Sequence, residues 1–377
     1  MLDFSLDRKM NSLKSKTWKA LALIIALSAN NVGIADSGKL TRVQFHSKAL
    51  EVNLLGDSPK REVFVYLPPS YKTKKAKRYP VVYLLHGNSP SDPKPDSNPA
   101  VRWAVDVNKP SGRYNQRGIK TIMDSSIENG GVKEMIVVMP NGRNKYRGSH
   151  YVNSPVSGNW ADHIARDLVS FIDGKYRTIK SRDSRALAGY SMGGRGTLIL
   201  GMKYPDVFGA IYAMSGGIMN FENFPLTEGD AKVWKSVLSL KSLDKADTRS
   251  IRLLGLSAAF SPNPNRKPFF VDFQYRLEEG QLKPNPEVQK RWLKFDPVRM
   301  VDTHKEALLS LNGFRFDCGR VDFLIGANRA LAKKLKEANI PHQYDEYHAR
   351  HGEKRNLRLE QEVLPYFSRM LKFDDEN

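Results

Sequence analysis

Cysteine is almost absent from this chain, with Cys318 the only one in 377 residues. A single thiol excludes an intrachain disulfide, so the folded state must depend on its hydrophobic core. Acidic residues are also scarce, with 40 Asp and Glu against 60 Lys and Arg and a formal net charge of +20. The basic residues are scattered, and the densest cluster, at 72–78, lies between two strand-like runs. This distribution is typical of a basic soluble surface, with binding to polyanionic cell-surface material as the alternative.

The sequence signatures of metal, phosphate and nucleic-acid sites are missing as well. No histidine or carboxylate spacing matches a recognised metal site. The glycine-rich residues 193–196 lack the Gly-Lys-Ser/Thr ending of a phosphate-binding loop. No nucleic-acid recognition motif accompanies the positive charge. We therefore expect no metal, no cofactor and no nucleic-acid partner.

The apolar run nearest the start of the chain is too short to span a bilayer as a helix. It covers Ala20 to Ala29, follows several basic residues, and precedes the small-x-small sequence Gly33-Ile34-Ala35. This is the arrangement of a secretory signal peptide over residues 1–35, with cleavage after Ala35. We expect a secreted or periplasmic protein without stable membrane insertion, and a short uncleaved anchor is the alternative.

Short apolar runs recur after the signal and alternate with helical patterns. The continuous runs are typical of strands buried on both faces of a parallel sheet, and they lie at 79–87, 135–140 and 207–215. Polar–apolar alternation at 40–55 and 61–68 indicates early antiparallel strands. Helical patterns lie between the runs, at 119–129 and 160–176. The order predicts an α/β fold with a doubly wound, mostly parallel sheet and helices on both faces.

Residues 219–312 break this rhythm with clustered prolines and aromatic residues. The segment is too long for a simple connection, so we expect a cap-like insertion over the site, within a single domain spanning 36–377. Its aromatic side chains either anchor the insertion to the core or line a substrate cleft. The strand–helix pattern then returns, at 313–319, 328–338, 342–347 and 357–371.

The stretch 185–200 carries the clearest chemical motif. A short apolar strand, Ala186 to Ala188, precedes Gly189-Tyr190-Ser191-Met192-Gly193, and a helical pattern begins at Thr197. A G-x-S-x-G sequence between a strand and a helix predicts a sharp turn that exposes a nucleophilic serine, here Ser191. Glycines flank the serine because side chains there would clash in so tight a turn. The first N–H groups of the helix also favour negative charge beside the serine.

A serine hydroxyl needs a base to take its proton and a third group to orient that base. The expected chain order is serine, acid, histidine. His351 is the favoured base because it follows a strand and precedes a helix, and His348 is its rival. Asp322 is the favoured acid because it falls in the loop beyond the returning strand. Asp317, still at the end of that strand, is the alternative acid.

A negative charge that develops on a substrate oxygen needs two backbone N–H donors. We expect one from Met192, directly after the nucleophile. The other is expected from Asn88, in the loop after the strand that ends at 85–87. His86 has the simpler interpretation of a histidine that braces this loop.

Taken together, these segments resemble the esterase D-like family of α/β-hydrolases, which includes feruloyl esterases, S-formylglutathione hydrolases, enterochelin esterases and antigen 85 mycolyltransferases. The resemblance spans roughly residues 40 to 371. Its segments are REVFVYLPP at 61–69, YPVVYLLHG at 79–87, NSPVSGNW at 153–160, AGYSMGG at 188–194, DCGRVD at 317–322 and EYHARH at 346–351. The family pattern places the nucleophile on Ser191, the acid on Asp322 and the base on His351.

Two departures from the family pattern add positive charge near the expected site. Arg350 lies in His348-Ala349-Arg350, where the family usually shows small residues, and Arg195 follows the double glycine. We expect both arginines to form surface ion pairs. The alternative is that they favour an acidic acyl or leaving group.

The resemblance and the residue pattern lead to one expected function. The chain would be an exported serine carboxylesterase that hydrolyses a small-molecule or polysaccharide-linked ester through an acyl-enzyme, without a cofactor. One alternative is an acyltransferase to a carbohydrate or lipid acceptor, which differs in whether water is excluded from the site. Another is a non-catalytic binding protein on a hydrolase scaffold, since a fold does not determine a function.

Overall fold

An eight-stranded sheet organises the protein, as seen in a computed structural model that describes residues 37–88, 97–106, 117–217 and 227–374. The predicted signal peptide, residues 1–35, lies outside the described residues, as does the segment 218–226 of the predicted insertion. The strands are β1 Lys39–His46, β2 Lys60–Leu67, β3 Val81–Leu85, β4 Ile136–Pro140, β5 Asn153–Ser154, β6 Gly158–Asn159, β7 Arg185–Tyr190, β8 Ala210–Met214, β9 Tyr275–Glu278, β10 Gln281–Pro284, β11 Gly313–Gly319 and β12 Gln343–Tyr347.

The order across the large sheet is β1-β2-β4-β3-β7-β8-β11-β12. β2 pairs antiparallel with β1 and with β4, and every pairing from β4 to β12 is parallel. The predicted doubly wound, mostly parallel sheet is therefore confirmed. Parallel strands direct their carboxyl ends to one edge, so the loops that follow β3, β7, β11 and β12 lie along the same edge.

The α-helices make up most of the remaining regular structure of the described residues. They are α1 Val101–Ala104, α2 Ile119–Glu128, α3 Trp160–Asp162, α4 Val169–Lys175, α5 Met192–Lys203, α6 Glu228–Ser239, α7 Thr248–Phe260, α8 Pro286–Leu293, α9 Pro297–Thr303, α10 Lys305–Leu309, α11 Ile325–Glu337, α12 Arg355–Arg358 and α13 Leu364–Met370. Two π-helical segments, His163–Leu168 and Leu359–Val363, join α3 to α4 and α12 to α13. The helices predicted at 160–176 and 357–371 therefore each contain a π-helical stretch.

The core lies on both faces of the sheet, as the central strand β3 shows. Its residues Val81, Tyr83 and Leu85 belong to one buried cluster, while Val82 and Leu84 belong to another. Side chains alternate between the faces of a strand, so a continuous apolar run is needed where helices cover both. Each fully buried aliphatic side chain contributes about 1.5–3 kcal/mol, which allows the fold to form without a disulfide.

The described part of the insertion, residues 227–312, forms helices and the β9–β10 hairpin around its own aromatic cluster. Trp234, Phe269 and Phe273 are buried there together with Tyr146 of the preceding loop region. Phe260 instead belongs to the main core. These aromatic side chains hold the insertion in place by packing, which is the anchoring role that their sequence pattern allowed.

The residues from Gly38 onward form one compact unit. Within the described ranges, none of the helices combines the length and the apolar character that crossing a membrane requires.

Three histidines are buried in neutral form. Burial lowers the pKa of His86 to about 4 and that of His163 to about 3, and it lowers the pKa of His150 well below its usual value. An unfolded chain takes up a proton on each of these side chains below about pH 6.5, whereas the folded chain does so only at lower pH. Each histidine therefore destabilises the fold as the pH falls from about 6.5 towards its folded pKa.

We predict that His163→Phe reduces this acid sensitivity. The His163 ring stacks on Phe45 at 5.3 Å and meets the edge of Trp160, and neither ring nitrogen has a hydrogen-bond partner among the described residues. Phenylalanine keeps the ring contacts and removes one titrating group. The slope of unfolding free energy against pH should fall by up to about 1.4 kcal/mol per pH unit between pH 6 and pH 4, as measured by urea denaturation.

His348→Gln is the matched control, because His348 is exposed and water reaches it in both states. A slope for His163→Phe equal to that of the unsubstituted protein would show that burial of His163 does not contribute to acid unfolding.

Candidate active site

Ser191 lies at the turn between β7 and α5, with φ 57° and ψ −113°. A positive φ is unusual for a residue with a side chain and costs free energy that surrounding contacts must offset. Three backbone hydrogen bonds hold the turn. The Ser191 N–H donates to the Met214 carbonyl at 3.0 Å, and the Ser191 carbonyl accepts from the N–H groups of Arg195 and Gly217. The hydroxyl is thereby presented at the carboxyl edge of the sheet.

The glycines of the turn permit close approach of the backbone to its neighbours. A Cβ at Gly193 would lie 2.3 Å from the Leu85 carbonyl oxygen, and one at Gly189 would lie 2.4 Å from the carbonyl oxygen of Gly193. The helix begins at Met192, so the predicted start at Thr197 is wrong by five residues. Glycine disfavours helices in isolation, but here the tertiary packing of the first turn outweighs that preference.

His351 and Asp322 meet Ser191 from two other loops of the same edge. The Nε2 atom of His351 lies 3.0 Å from Ser191 Oγ, and its Nδ1 atom lies 2.7 Å from Asp322 Oδ2. Because the carboxylate accepts, Nδ1 carries the proton and Nε2 is left to accept from the serine hydroxyl. The Asp322 side chain is fully buried, and the His351 side chain is 24% exposed. The structure thus brings together the three residues favoured by the sequence.

Aromatic contacts restrain the His351 ring. Its centroid lies 4.9 Å from that of Tyr190 and 4.7 Å from that of Phe323. The other carboxylate oxygen of Asp322 accepts the Leu324 N–H at 2.9 Å. Imidazole and carboxylate are therefore both held by contacts outside their own hydrogen bond.

The structure places the two rival residues away from Ser191. Asp317 is buried on β11, where Tyr212 Oη donates to it at 2.9 Å and Arg358 Nε at 3.0 Å. Its carboxylate therefore joins β11 to its neighbours. His348 is exposed at the end of β12, and no hydrogen bond joins it to Ser191 or Asp322.

Met192 and Asn88 lie beside the serine, as the sequence predicts for oxyanion donors. Met192 is the first residue of α5, so its N–H has no acceptor within the helix. A Cβ at Gly148 would lie 2.8 Å from Met192 Sδ and 3.0 Å from Asn88 Nδ2, so the two residues border the same small space. Gly87, next to Asn88, approaches Ser191 closely, since its own Cβ would lie 3.2 Å from Ser191 Cβ.

The loop of residues 141–151 supports this side of the site, a role that the sequence analysis missed. His86 Nε2 accepts the Gly142 N–H at 2.8 Å, and Tyr151 Oη donates to the His86 carbonyl at 3.0 Å. His86 braces the loop in its neutral form, because a protonated ring could not accept from Gly142. Three residues of the supporting loop have positive φ, namely Arg147, His150 and Tyr151. No sequence motif predicts this backbone conformation.

Arg195 belongs to the same supporting structure, and the predicted surface ion pair for it is wrong. Its side chain is buried, its Nη2 atom donates to His150 Nδ1 at 2.6 Å, and its guanidinium lies 4.8 Å from the Phe260 ring centroid. Burial lowers the pKa of Arg195 to about 9. The tertiary packing of α5 against α7 and the supporting loop turns this side chain inward. Arg350, in contrast, is exposed.

Among the residues that the structure describes, no three histidine, cysteine, aspartate or glutamate side chains come together as metal ligands would. At the edge of the sheet the described residues supply a hydroxyl, an imidazole, a carboxylate and backbone N–H groups.

We predict that Gly193→Ala disrupts the turn. The added methyl group would collide with backbone atoms of Leu85 and His86, which a side-chain rotation cannot relieve. The free energy of unfolding should fall by about 3 kcal/mol in urea denaturation. Gly174→Ala is the matched control, because Gly174 lies in α4 with open space around it, and alanine there should add about 0.5–1 kcal/mol. Equal stability of the two variants would contradict the close packing.

Comparison with known proteins identifies the family of the chain. Residues 58–257 match the model of the Esterase family. An esterase of Mycobacterium tuberculosis is 30% identical over 179 residues, which cover 47% of this chain and 34% of that protein. An endo-1,4-beta-xylanase/feruloyl esterase of Xylanibacter ruminicola is 31% identical over 156 residues, covering 41% of this chain and 19% of that protein. The matched segment thus spans a third or less of these curated relatives.

A solved structure shares the fold. A ferulic acid esterase superposes with a TM-score of 0.56 at 24% sequence identity, covering 89% of this chain and 99% of that chain. A structural similarity at 24% sequence identity establishes the fold alone. The shared fold is the α/β-hydrolase fold that the sequence predicts. The family match includes β2, β3, β7 and Ser191, the elements that build the turn. The chain therefore belongs to the Esterase family and has an α/β-hydrolase fold.

Proposed function

We propose that this protein is a serine carboxylesterase in which Ser191, His351 and Asp322 form the catalytic triad. The observation that carries the proposal is the continuous chain of short contacts, 3.0 Å from Ser191 Oγ to His351 Nε2 and 2.7 Å from His351 Nδ1 to Asp322 Oδ2. A serine hydroxyl becomes nucleophilic when a base removes its proton as it attacks, and this geometry meets that requirement.

The reaction would proceed in two halves. In the first, Ser191 Oγ attacks the ester carbonyl carbon, its proton passes to His351 Nε2, and the C–O bond to the alcohol breaks as His351 returns the proton to the leaving oxygen. In the second, His351 takes a proton from water, the resulting hydroxide attacks the acyl-enzyme, and Ser191 regains the proton. The products are a carboxylic acid and an alcohol.

The tetrahedral intermediate in each half carries a negative oxygen. We assign its stabilisation to the backbone N–H groups of Met192 and Asn88, because Met192 follows Ser191 at the start of α5 and Asn88 follows Gly87, which approaches Ser191 closely. Each such donor contributes about 2.7–4 kcal/mol in related chemistry, because it is already oriented when the charge forms. Asp322 fixes the imidazole tautomer and stabilises the imidazolium, and it keeps its own charge throughout.

The family supports an ester as substrate. The relatives include an esterase and a feruloyl esterase, and the latter is joined to a xylanase in one protein. We extend this to a small-molecule or polysaccharide-linked ester for the present chain. Export, proposed from the signal-like residues 1–35, would bring the protein to such a substrate.

We predict that Ser191→Ala abolishes ester hydrolysis. The loss of kcat for a short p-nitrophenyl ester should be about 10⁴-fold or more, because the covalent path disappears. Circular dichroism and the urea midpoint should show that the variant remains folded. Hydrolysis that persists at the original rate in a folded Ser191→Ala protein would rule out the mechanism.

Paired substitutions separate the favoured residues from their rivals. His351→Ala should reduce kcat by several orders of magnitude, whereas His348→Ala should retain most activity. Asp322→Asn should reduce kcat by about 10⁴-fold at near-normal stability, since the wrong imidazole tautomer is then favoured. Asp317→Asn should act mainly on the unfolding free energy, because Asp317 binds Tyr212 and Arg358. Full activity in His351→Ala would exclude the assigned base.

A further inference from the structure

A small cavity that is open to solvent lies next to the proposed nucleophile. Its walls come from the loop after β3, from α1 together with Pro99, from the end of β7, and from the start of α12. The lining residues are His86, Gly87, Asn88, Pro99, Arg102, Trp103, Tyr190 and Arg355. They come from separate parts of the chain, so the cavity exists only in the folded protein.

The cavity borders the place where a substrate carbonyl would lie. Tyr190 directly precedes Ser191, and Asn88 is the proposed oxyanion donor. Gly87, the residue before Asn88, packs against both Tyr190 and Ser191, because a Cβ there would be 3.1 Å from Tyr190 Cδ1 and 3.2 Å from Ser191 Cβ. A charged group carried by an ester bound at Ser191 would therefore lie close to this cavity.

Among the described residues that line the cavity, the charged ones are Arg102 and Arg355, and none is an aspartate or a glutamate. Arg102 is exposed at the mouth. None of the carboxylates in the described residues lies within ion-pair distance of it. The exposed Arg102 guanidinium therefore gives this cavity a positive charge that an anion can offset.

Arg355 is held against the wall by several contacts. Its guanidinium lies 4.6 Å from the Trp103 ring centroid, and its Nη2 atom donates to the Arg102 carbonyl at 3.1 Å. Its Nε atom donates to Asn356 Oδ1 at 2.8 Å. Burial, with Arg102 as a nearby like charge, lowers the pKa of Arg355 to about 10, although the Tyr190 hydroxyl acts in the opposite direction. The charge is thus oriented before any substrate arrives.

We propose that this cavity binds a carboxylate group of the substrate, so that the preferred esters are those that carry a negative charge near the scissile bond. Guanidinium groups match the two oxygens of a carboxylate in geometry and charge, and Trp103 and Tyr190 supply an apolar wall for the carbon atoms between carboxylate and ester. This inference rests on the proposed esterase function.

The cavity also settles which arginines face a substrate. Arg195 follows the nucleophile closely in sequence, but its side chain is buried against His150 and Phe260. Arg350 is exposed and does not line the cavity. Neither of the two arginines that stand out in the sequence is therefore the specificity residue, whereas Arg102 and Arg355 are.

Matched ester pairs test the inference. Mono-p-nitrophenyl adipate and p-nitrophenyl hexanoate have acyl chains of equal length and differ in the terminal carboxylate. 4-Acetoxybenzoate and methyl 4-acetoxybenzoate also differ in a free carboxylate, which here lies on the alcohol part of the ester. For at least one pair, kcat/KM should be about tenfold higher for the anionic ester, since a charged hydrogen bond typically gives an effect of this size. The pair that responds identifies the side of the ester that enters the cavity.

Substitution of Arg102 assigns the preference to the cavity. Arg102→Gln should reduce the preference for the anionic ester by roughly tenfold while kcat/KM for the neutral ester stays within about twofold. Arg102→Lys should restore part of the preference, and Arg102→Glu should reverse it. Arg350→Gln is the matched control, because it removes the same charge from a nearby exposed position and should leave the preference unchanged.

The outcomes separate this inference from the proposed function. If the neutral esters are hydrolysed and Ser191→Ala stops it, but neither anionic ester is preferred, the carboxylate subsite is wrong and the esterase function stands. Equal effects of Arg102→Gln and Arg350→Gln would also overturn the subsite, since general surface charge would then explain the preference. If no ester is hydrolysed in a Ser191-dependent way, the proposed function fails first.

Discussion

Close packing between the first turn of α5 and the end of β3 is the constraint on which the site depends. At Gly193 the backbone leaves no room for a Cβ, because the Leu85 carbonyl oxygen would lie 2.3 Å away. This contact fixes the entry of the helix, and the helix fixes Ser191 in its unusual backbone conformation. The same contact sets the loop after β3 beside the serine. One steric relation therefore positions both the proposed nucleophile and one proposed oxyanion donor.

A network of neutral and cationic groups supports the same side of the site through the loop of residues 141–151. His86 and His150 accept hydrogen bonds that their protonated forms could not accept, from Gly142 and Arg195 respectively. Buried polar groups of this kind hold a loop in one arrangement only while their partners are present. The consequence is a site that is rigid at neutral pH and whose support weakens in acid. Stability and site geometry are linked through the same histidines.

The structure shows that the arginines behind the large positive charge of the chain lie in different environments. Many of its arginines are engaged in ion pairs, as Arg315 is with Asp345 and Glu362. Arg195 is buried against His150 and the Phe260 ring, and Arg102 and Arg355 line a cavity beside Ser191. Position within the fold, rather than the overall count of charges, decides whether a cation stabilises the protein or recognises a ligand.

The sequence alone determined the sheet type, the turn around Ser191 and the order of serine, acid and histidine, because these follow from apolar runs and a local motif. It also favoured Asp322 and His351 over their rivals from loop position, and the structure brings those two to Ser191. Only the tertiary structure decided the start of α5, the burial of Arg195 and the cavity of Arg102 and Arg355. These features depend on contacts between residues far apart in the sequence, such as Arg355 and Arg102, which are separated by 253 positions. Contacts between such distant segments leave no local pattern, because packing in three dimensions creates them.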